Sequence, residues 1–281
     1  MRDKNYTDTT TEKKAISDGV MTGMSALEES LPEDRLEVYE VVRLSGGKPL
    51  FVSEHYERMS KSLSGIGKEL LLSFDEFAEQ IDRVAKANSL DEGNIRIEQY
   101  RASSDTVEHT GIYPIPYEYP TPQMYAEGVK VTFMRAERDN PQVKIFNSHF
   151  RQQADTLIAE TGAAEVLLVN RNGEITEGSR SNVFFIKDDT IVAAPQYSVL
   201  PGITRMKVLR IFREDGIGYE ERPVMADGVG TFDAAFLTGT SKEVLPIAGI
   251  DEVSLDVNHP ILRHIMKRYR KMAEDNIRRT I

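Results

Sequence analysis

Gly173-Glu174-Ile175-Thr176-Glu177-Gly178-Ser179-Arg180-Ser181-Asn182-Val183-Phe184 is the stretch on which the reading of this chain turns. Apolar residues flank it, with Ala164–Val169 before and Val183–Ile186 after, and both runs read as buried strands. Arg171-Asn172-Gly173 makes a tight turn into a further strand over Glu174–Glu177. Small and polar residues thus fall between apolar strands, where an unpartnered buried polar group costs about 1–3 kcal/mol. A carboxylate at Glu177 beside Gly178 suits close approach to a flat ligand. The competing reading is a surface hairpin with a solvated glutamate.

Working outward, Ile191–Ala194 pairs with Val183–Ile186 across the Asp188-Asp189 turn. Pro201-Gly202 precedes a helix carrying Met206, Leu209 and Phe212; Phe232–Leu237 is a strand, and a C-terminal helix runs from about Pro260. On the other side, Gly128–Arg135 reads as a strand and Ser148–Glu160 as a helix. Four prolines in Tyr113-Pro114-Ile115-Pro116-Tyr117-Glu118-Tyr119-Pro120-Thr121-Pro122 stiffen the chain as a linker or edge segment does. A domain boundary is placed just after it, giving 1–122 and 123–281.

In the first part, Val38–Leu44 and Pro49–Val52 flank Gly46-Gly47 as a hairpin. Ser53 reads as the cap of a helix through His55, Tyr56, Met59 and Leu63, stopped by Gly65 and Gly67. Ser73 and Glu76 form a capping-box pattern opening a second helix with Phe74, Phe77, Ile81 and Val84 on one face. Strands follow at Asn94–Arg101 and near Ile112, while the polar start up to about Thr11 reads as frayed or disordered. Helices and strands mix without strict βαβ alternation, so the expected class is α+β in two domains.

Composition narrows the function. The 281 residues carry 45 acidic against 35 basic side chains, a net charge of -10 that argues against a nucleic-acid partner. With no cysteine, the chain has no disulfide framework, thiolate nucleophile or sulfur-ligated zinc, and it fits a reducing compartment. His55, His109, His149, His259 and His264 show no metal-ligand grouping, so no metal is expected. No run approaches the roughly 18–20 apolar residues of a membrane span. The start, MRDKNYTDTTTEKKAISDGV, lacks the apolar run of a signal peptide, and a cytoplasmic location is expected.

Three further pieces carry candidate chemistry. Val143-Lys144-Ile145-Phe146-Asn147 sets a lysine in an apolar stretch, and low dielectric favours the neutral amine that attacks an aldehyde. By itself such a lysine more often snorkels at a strand edge. Leu200-Pro201-Gly202-Ile203-Thr204-Arg205 is a glycine turn feeding a helix start, whose N–H groups and dipole favour anions. Leu237-Thr238-Gly239-Thr240-Ser241 follows a strand with small donors. Alone, each of the last two is common.

In this order, with Val38-Tyr39-Glu40-Val41-Val42-Arg43 and Glu54-His55-Tyr56-Glu57-Arg58-Met59 ahead of them and Glu243 behind, the pieces resemble the class IV, or fold-type IV, pyridoxal-phosphate family. Its members include branched-chain and D-amino-acid aminotransferases and aminodeoxychorismate lyases. The resemblance spans about Val38 to Pro246. It implies a smaller N-terminal α/β domain, a larger C-terminal domain with a barrel-like sheet, and a homodimer. It also implies amino transfer between an amino acid and a 2-keto acid, with aminodeoxychorismate lyase chemistry as the alternative and a non-catalytic relative as a third class.

By resemblance, Lys144 is the Schiff-base lysine and proton shuttle, and Glu177 pairs with the pyridine nitrogen. Arg58 corresponds to a phosphate-binding arginine. Ile203 and Thr204, through backbone N–H groups, and the Thr204 and Thr240 hydroxyls complete the phosphate cup, with Leu200 against one ring face. Tyr39 matches a substrate-pocket aromatic. Arg96 and Arg101 are rival candidates for the substrate carboxylate; an odd separation in a strand puts them on opposite sides, and Arg101 is preferred. Two departures stand out: Asp34-Arg35-Leu36-Glu37 lacks the glycines usual before the Tyr39 strand, and position 239 is glycine where some relatives place a hydroxyl.

Overall fold

The computed structural model describes residues 12–279, and the chain divides into two compact units at Tyr117 and Glu118. The polar start up to Thr11 lies outside the described residues.

The first unit contains β1 (Lys14–Ser17), β2 (Val20–Gly23), α1 (Met24–Ser30), β3 (Leu36–Ser45), β4 (Lys48–Pro49), α2 (Val52–Ser64), α3 (Phe74–Ala87), β5 (Gly93–Arg101) and β6 (His109–Ile115). Its strands form one antiparallel sheet in the order β2-β1-β6-β5-β3-β4. The Gly46-Gly47 hairpin is present, with Leu44 opposite Pro49, but β4 is only two residues long because α2 starts at once. Ser53 does not cap that helix. The turn into it is made by Phe51 in a left-handed conformation (φ 52°), and no side chain caps the first N–H groups. The Ser73–Glu76 capping box is formed in both directions, and Gly65 ends α2. Pro114 lies inside β6, past the Gly111 and Ile112 pairs with β1, where its missing N–H interrupts no pair with that strand.

The second unit begins with a helix that the proline run concealed. Thr121 accepts from the Met124 N–H and Pro122 takes the first position of α4 (Pro122–Glu127), where a missing N–H costs nothing. Then follow β7 (Val129–Arg135), α5 (Ser148–Thr161), β8 (Glu165–Val169), β9 (Glu174–Gly178), β10 (Asn182–Lys187), β11 (Thr190–Ala193), α6 (Ile203–Asp215), β12 (Gly218–Glu221), β13 (Val224–Met225), β14 (Ala234–Gly239), β15 (Glu243–Ile250), β16 (Val253–Ser254) and α7 (Pro260–Arg279). In the ten-stranded sheet, β10-β14-β15-β7-β8-β9 are consecutive neighbours. The first and last strands of this six-strand run, β10 and β9, are joined directly through Ser179–Ser181, with the Gly178 N–H on the Ser181 carbonyl at 2.7 Å. So short a turn can link the two ends only if the sheet curls round on itself. The mixed α and β fold, with a curled half-barrel and a separate smaller sheet, agrees with the class read from the sequence.

Period-two alternation fills the curl. Val131, Leu167, Val183, Phe185, Leu237 and Leu245 share its core. Alternate residues face the helices: Val166 and Leu168 pack with Ala154 of α5, while Phe184 stacks on Phe236 (5.1 Å) and meets Phe212 of α6 edge-on (5.7 Å). The polar segment Gly178–Asn182 falls at one rim of this sheet, where β9 ends and β10 starts.

Candidate functional site

Glu177 is the centre of that rim. Between Ile175 and Gly178, β9 carries one residue more than the opposing stretch of β8, so a bulge sits beside Glu177 and re-aims the local side chains. The carboxylate is 2% exposed. Its Oε2 accepts from the Leu200 N–H at 2.9 Å and from Asn182 Nδ2 at 3.1 Å. Oε1 forms an ion pair with Arg138, 2.7 Å from its Nε, although the two buried atoms are not aligned for a hydrogen bond. Burial pushes the Glu177 carboxyl above its ordinary range, opposed by Arg138, the Leu200 N–H and the Lys144 ammonium.

Lys144 is thus near enough for its charge to be felt at Glu177, and it lies half-buried between β7 and α5, next to the buried Val143. Asn147, quoted with it, caps α5 by accepting from the Phe150 N–H at 2.9 Å. Asn182 joins three parts of the rim: its Nδ2 donates to Glu177 and to the Leu200 carbonyl (2.9 Å), and its Oδ1 fills the space that a Cβ at Gly202 would need. Gly202 is the N-cap of α6 and supplies no side-chain cap, so the first-turn N–H groups of Ile203 and Thr204 keep their anion-binding capacity. The buried Thr204 hydroxyl is 3.4 Å from the Tyr269 hydroxyl of α7. Thr240 opens the tip between β14 and β15, just past Thr238, which sits opposite Asn182 and whose hydroxyl is buried without a hydrogen-bond partner. Lys144, Glu177, Leu200, Ile203, Thr204 and Thr240 therefore all belong to one unit, and the first three are linked directly by contact or field.

Arg138, Asn182 and Thr238 were not singled out by the sequence. Asn182 and Thr238 lie inside motifs that were, whereas Arg138 sits in a polar stretch with nothing to mark it.

In the first unit, Arg58 is 6% exposed and grips Glu40 with two bonds, Nε to Oε1 and Nη2 to Oε2, each 2.6 Å. His55 Nδ1 is 2.7 Å from the same carboxylate. Burial raises the Glu40 carboxyl, but Arg58 and His55 more than offset this and hold it at about 2. Tyr39 is buried beneath the Arg96 guanidinium, 4.1 Å from ring centroid to Cζ. Arg96 also bonds Glu98 at 2.8 Å and pairs with Glu37, so two buried carboxylates already engage it. Arg101 shares none of these partners. Its nearest carboxylate, Glu108, is 3.7 Å away, its Nε lacks a hydrogen-bond partner, and its side chain is 33% exposed.

Among the described residues, no group of three or more histidine or acidic side chains is placed to hold a metal ion, and no helix is long and apolar enough to cross a membrane. The family model described as amino-transferase class IV matches residues 37–250. The D-alanine aminotransferase of Bacillus licheniformis is 29% identical over 232 residues, covering 79% of this chain and 82% of that protein. A putative branched-chain-amino-acid aminotransferase of Methanocaldococcus jannaschii is 27% identical over 253 residues, covering 85% and 86%. In fold, the chain resembles the crystal structure of the branched-chain aminotransferase of the archaeon Thermoproteus uzoniensis with norvaline, with a TM-score of 0.81, 22% identity and coverage of 95% and 96%. A family match across most of the chain, on the strands and turns that build the Glu177 rim, makes this protein a member of the class IV aminotransferases.

Proposed function

We propose that this chain uses pyridoxal phosphate to move an amino group between an amino acid and a 2-keto acid. The observation that supports this reading is the state of Glu177: one carboxylate oxygen is held by two donors, and the other, equally buried, faces the Arg138 guanidinium at 2.7 Å without an aligned hydrogen bond. That oxygen suits the N–H of a protonated heterocycle. The unpartnered Thr238 hydroxyl and the uncapped start of α6 suit a phosphate on the same ligand, so the residues fit the cofactor.

When bound, the cofactor supplies an aldehyde that captures an amine and a ring that takes up the electron pair left by a broken Cα–H bond. The chain's residues do the rest. Glu177 holds the proton on the ring nitrogen, backed by Leu200 and Asn182. Lys144 Nζ would hold the aldehyde carbon at rest and would then carry a proton from the substrate Cα to that same carbon, on the far side of the substrate nitrogen. Ile203, Thr204 and Thr240 are proposed to bind the phosphate, with Arg58 as the cationic contributor that the resemblance implies, and Leu200 to cover a ring face. Tyr39 is proposed to line the substrate pocket. Arg101, with its orphaned Nε, is preferred over the doubly engaged Arg96 for the substrate carboxylate. A cytoplasmic homodimer is proposed, in keeping with the resemblance and the cysteine-free composition.

Borohydride reduction of the yellow holoprotein, followed by peptide mapping, tests the assignment. The cofactor mass should appear on the peptide bearing Lys144 and vanish in Lys144→Ala; label elsewhere would reject it. Amino donors should bleach the absorbance band in a half-reaction and leave a keto acid without any added acceptor.

A further inference from the structure

The unit that carries Glu177 holds a second buried carboxylate that this scheme does not use. Glu165, on β8, is fully buried and accepts from Ser179 Oγ (2.5 Å), Ser181 Oγ (3.0 Å), the Arg180 N–H (3.3 Å) and Lys242 Nζ (2.6 Å). Its own neighbour, Val166, adds a backbone N–H at 3.0 Å. Taking a carboxylate wholly out of water is costly unless donors surround it, and here both oxygens are served. Burial pushes its carboxyl up, but Lys242 and the other donors bring it down to about 2, so it is ionised at neutral pH.

The donors come from two places. Ser179, Arg180 and Ser181 form the turn that follows Glu177 directly, and Lys242 belongs to the tip that begins with Thr240. The two loops also meet closely. A Cβ at Gly239 would come within 3.4 Å of the Arg180 carbonyl, and one at Gly178 would overlap Ser181 Oγ and press on Glu165 Cγ at 3.2 Å. A single charge therefore clamps the segment carrying the ring-nitrogen carboxylate to the segment carrying a phosphate hydroxyl.

We propose that Glu165, acting through Lys242 and the serine turn, is a positioning residue that sets the spacing between the nitrogen-binding and phosphate-binding ends of the site. The inference rests on the functional reading above. It assigns Glu165 no contact with the cofactor; its effect is to spare the two loops the ordering that binding would otherwise demand.

The test compares the apoprotein with its Glu165→Gln, Lys242→Met and double variants. Glu165→Gln keeps the shape and an acceptor but drops the charge; Lys242→Met, at a hairpin tip, keeps the buried carboxylate and its serines should Glu165→Gln fail to fold. The readout is the dissociation constant for pyridoxal phosphate and for pyridoxal, followed by quenching of tyrosine fluorescence in this tryptophan-free chain. Each single variant should weaken pyridoxal phosphate binding about tenfold, as loss of an outer support of ligand-holding groups does. Pyridoxal should be affected less, and the double variant should be no worse than the worse single. Folded variants that bind pyridoxal phosphate like wild type, or losses that simply add, overturn the Glu165 role alone. Wild-type protein that binds no pyridoxal phosphate overturns the functional reading and the Glu165 role together.

Discussion

Asn182 Oδ1 occupies the place where a side chain at residue 202 would have to begin. The helix that starts at Gly202 can therefore sit against β10 only because that residue has no Cβ, and the same asparagine steadies Glu177 and the Leu200 carbonyl. A backbone φ of -62° at Gly202 is open to any residue, so the demand for glycine there is one of space.

Gly202→Ala should consequently lower stability by about 1–3 kcal/mol, the usual cost of overpacking, and weaken cofactor binding by displacing Asn182. Adding Asn182→Ala should restore part of the stability but not the cofactor affinity. Thermal unfolding and a cofactor titration of the three variants separate the two effects.

Glu177→Gln should cut turnover by about 100-fold or more, the scale of losing a pre-placed electrostatic partner of the reacting charge. The apoprotein should behave in the opposite sense. A carboxyl raised on folding binds its proton more tightly in the native state, so its ionisation works against the fold as pH rises above the unfolded value of 4.5. At pH 7 the glutamine apoprotein should melt no lower than wild type. A clear drop in its melting temperature would contradict this.

Glu40 carries the reverse sign. Its carboxyl falls from 4.5 to about 2 on folding, so its contribution is complete above about 4.5 and is lost as pH falls toward 2. Glu40→Gln should cost about 3 kcal/mol at pH 7, since Arg58 is left buried opposite a neutral group. The gap between variant and wild type should narrow between pH 4.5 and 2. Urea unfolding across that range measures it.

Arg96 and Arg101 should respond in different assays. Arg96→Met leaves the buried Glu37 with Arg35 (2.7 Å) and the buried Glu98 with the Tyr113 hydroxyl (2.9 Å), and the lost charged bonds should destabilise by about 2 kcal/mol. Arg101→Lys should leave stability within about 0.5 kcal/mol, because its present partner is distant and the site is partly open, yet raise KM for the amino donor. Unfolding curves and steady-state kinetics on both variants decide between them.

Much of the fold was legible because it is written in short-range chemistry. Ser73 and Glu76 announce a helix start through bonds made within one turn, and Val183–Ile186 with Ile191–Ala194 announce a hairpin as two apolar runs on either side of a short Asp188-Asp189 turn. Where a start needs no capping side chain, the signal misleads: Ser53 looked like the cap of α2, but the left-handed Phe51 makes the turn. The α4 helix was hidden for a similar reason, since a proline at its first position reads locally as a breaker.

The Lys144, Glu177 and Leu200–Thr204 segments stood out in the sequence through their order and its resemblance to the class IV family, since each taken singly also fits an ordinary strand edge, hairpin or helix start. The bulge beside Glu177, the Arg138 guanidinium 2.7 Å from its Oε1 and the Asn182 link to Gly202 were settled only by tertiary structure. Arg138 and Glu177 are far apart in the chain, and nothing in the propensity of either residue encodes the other. Their meeting depends on the way the sheet curls, and that is a property of all its strands together.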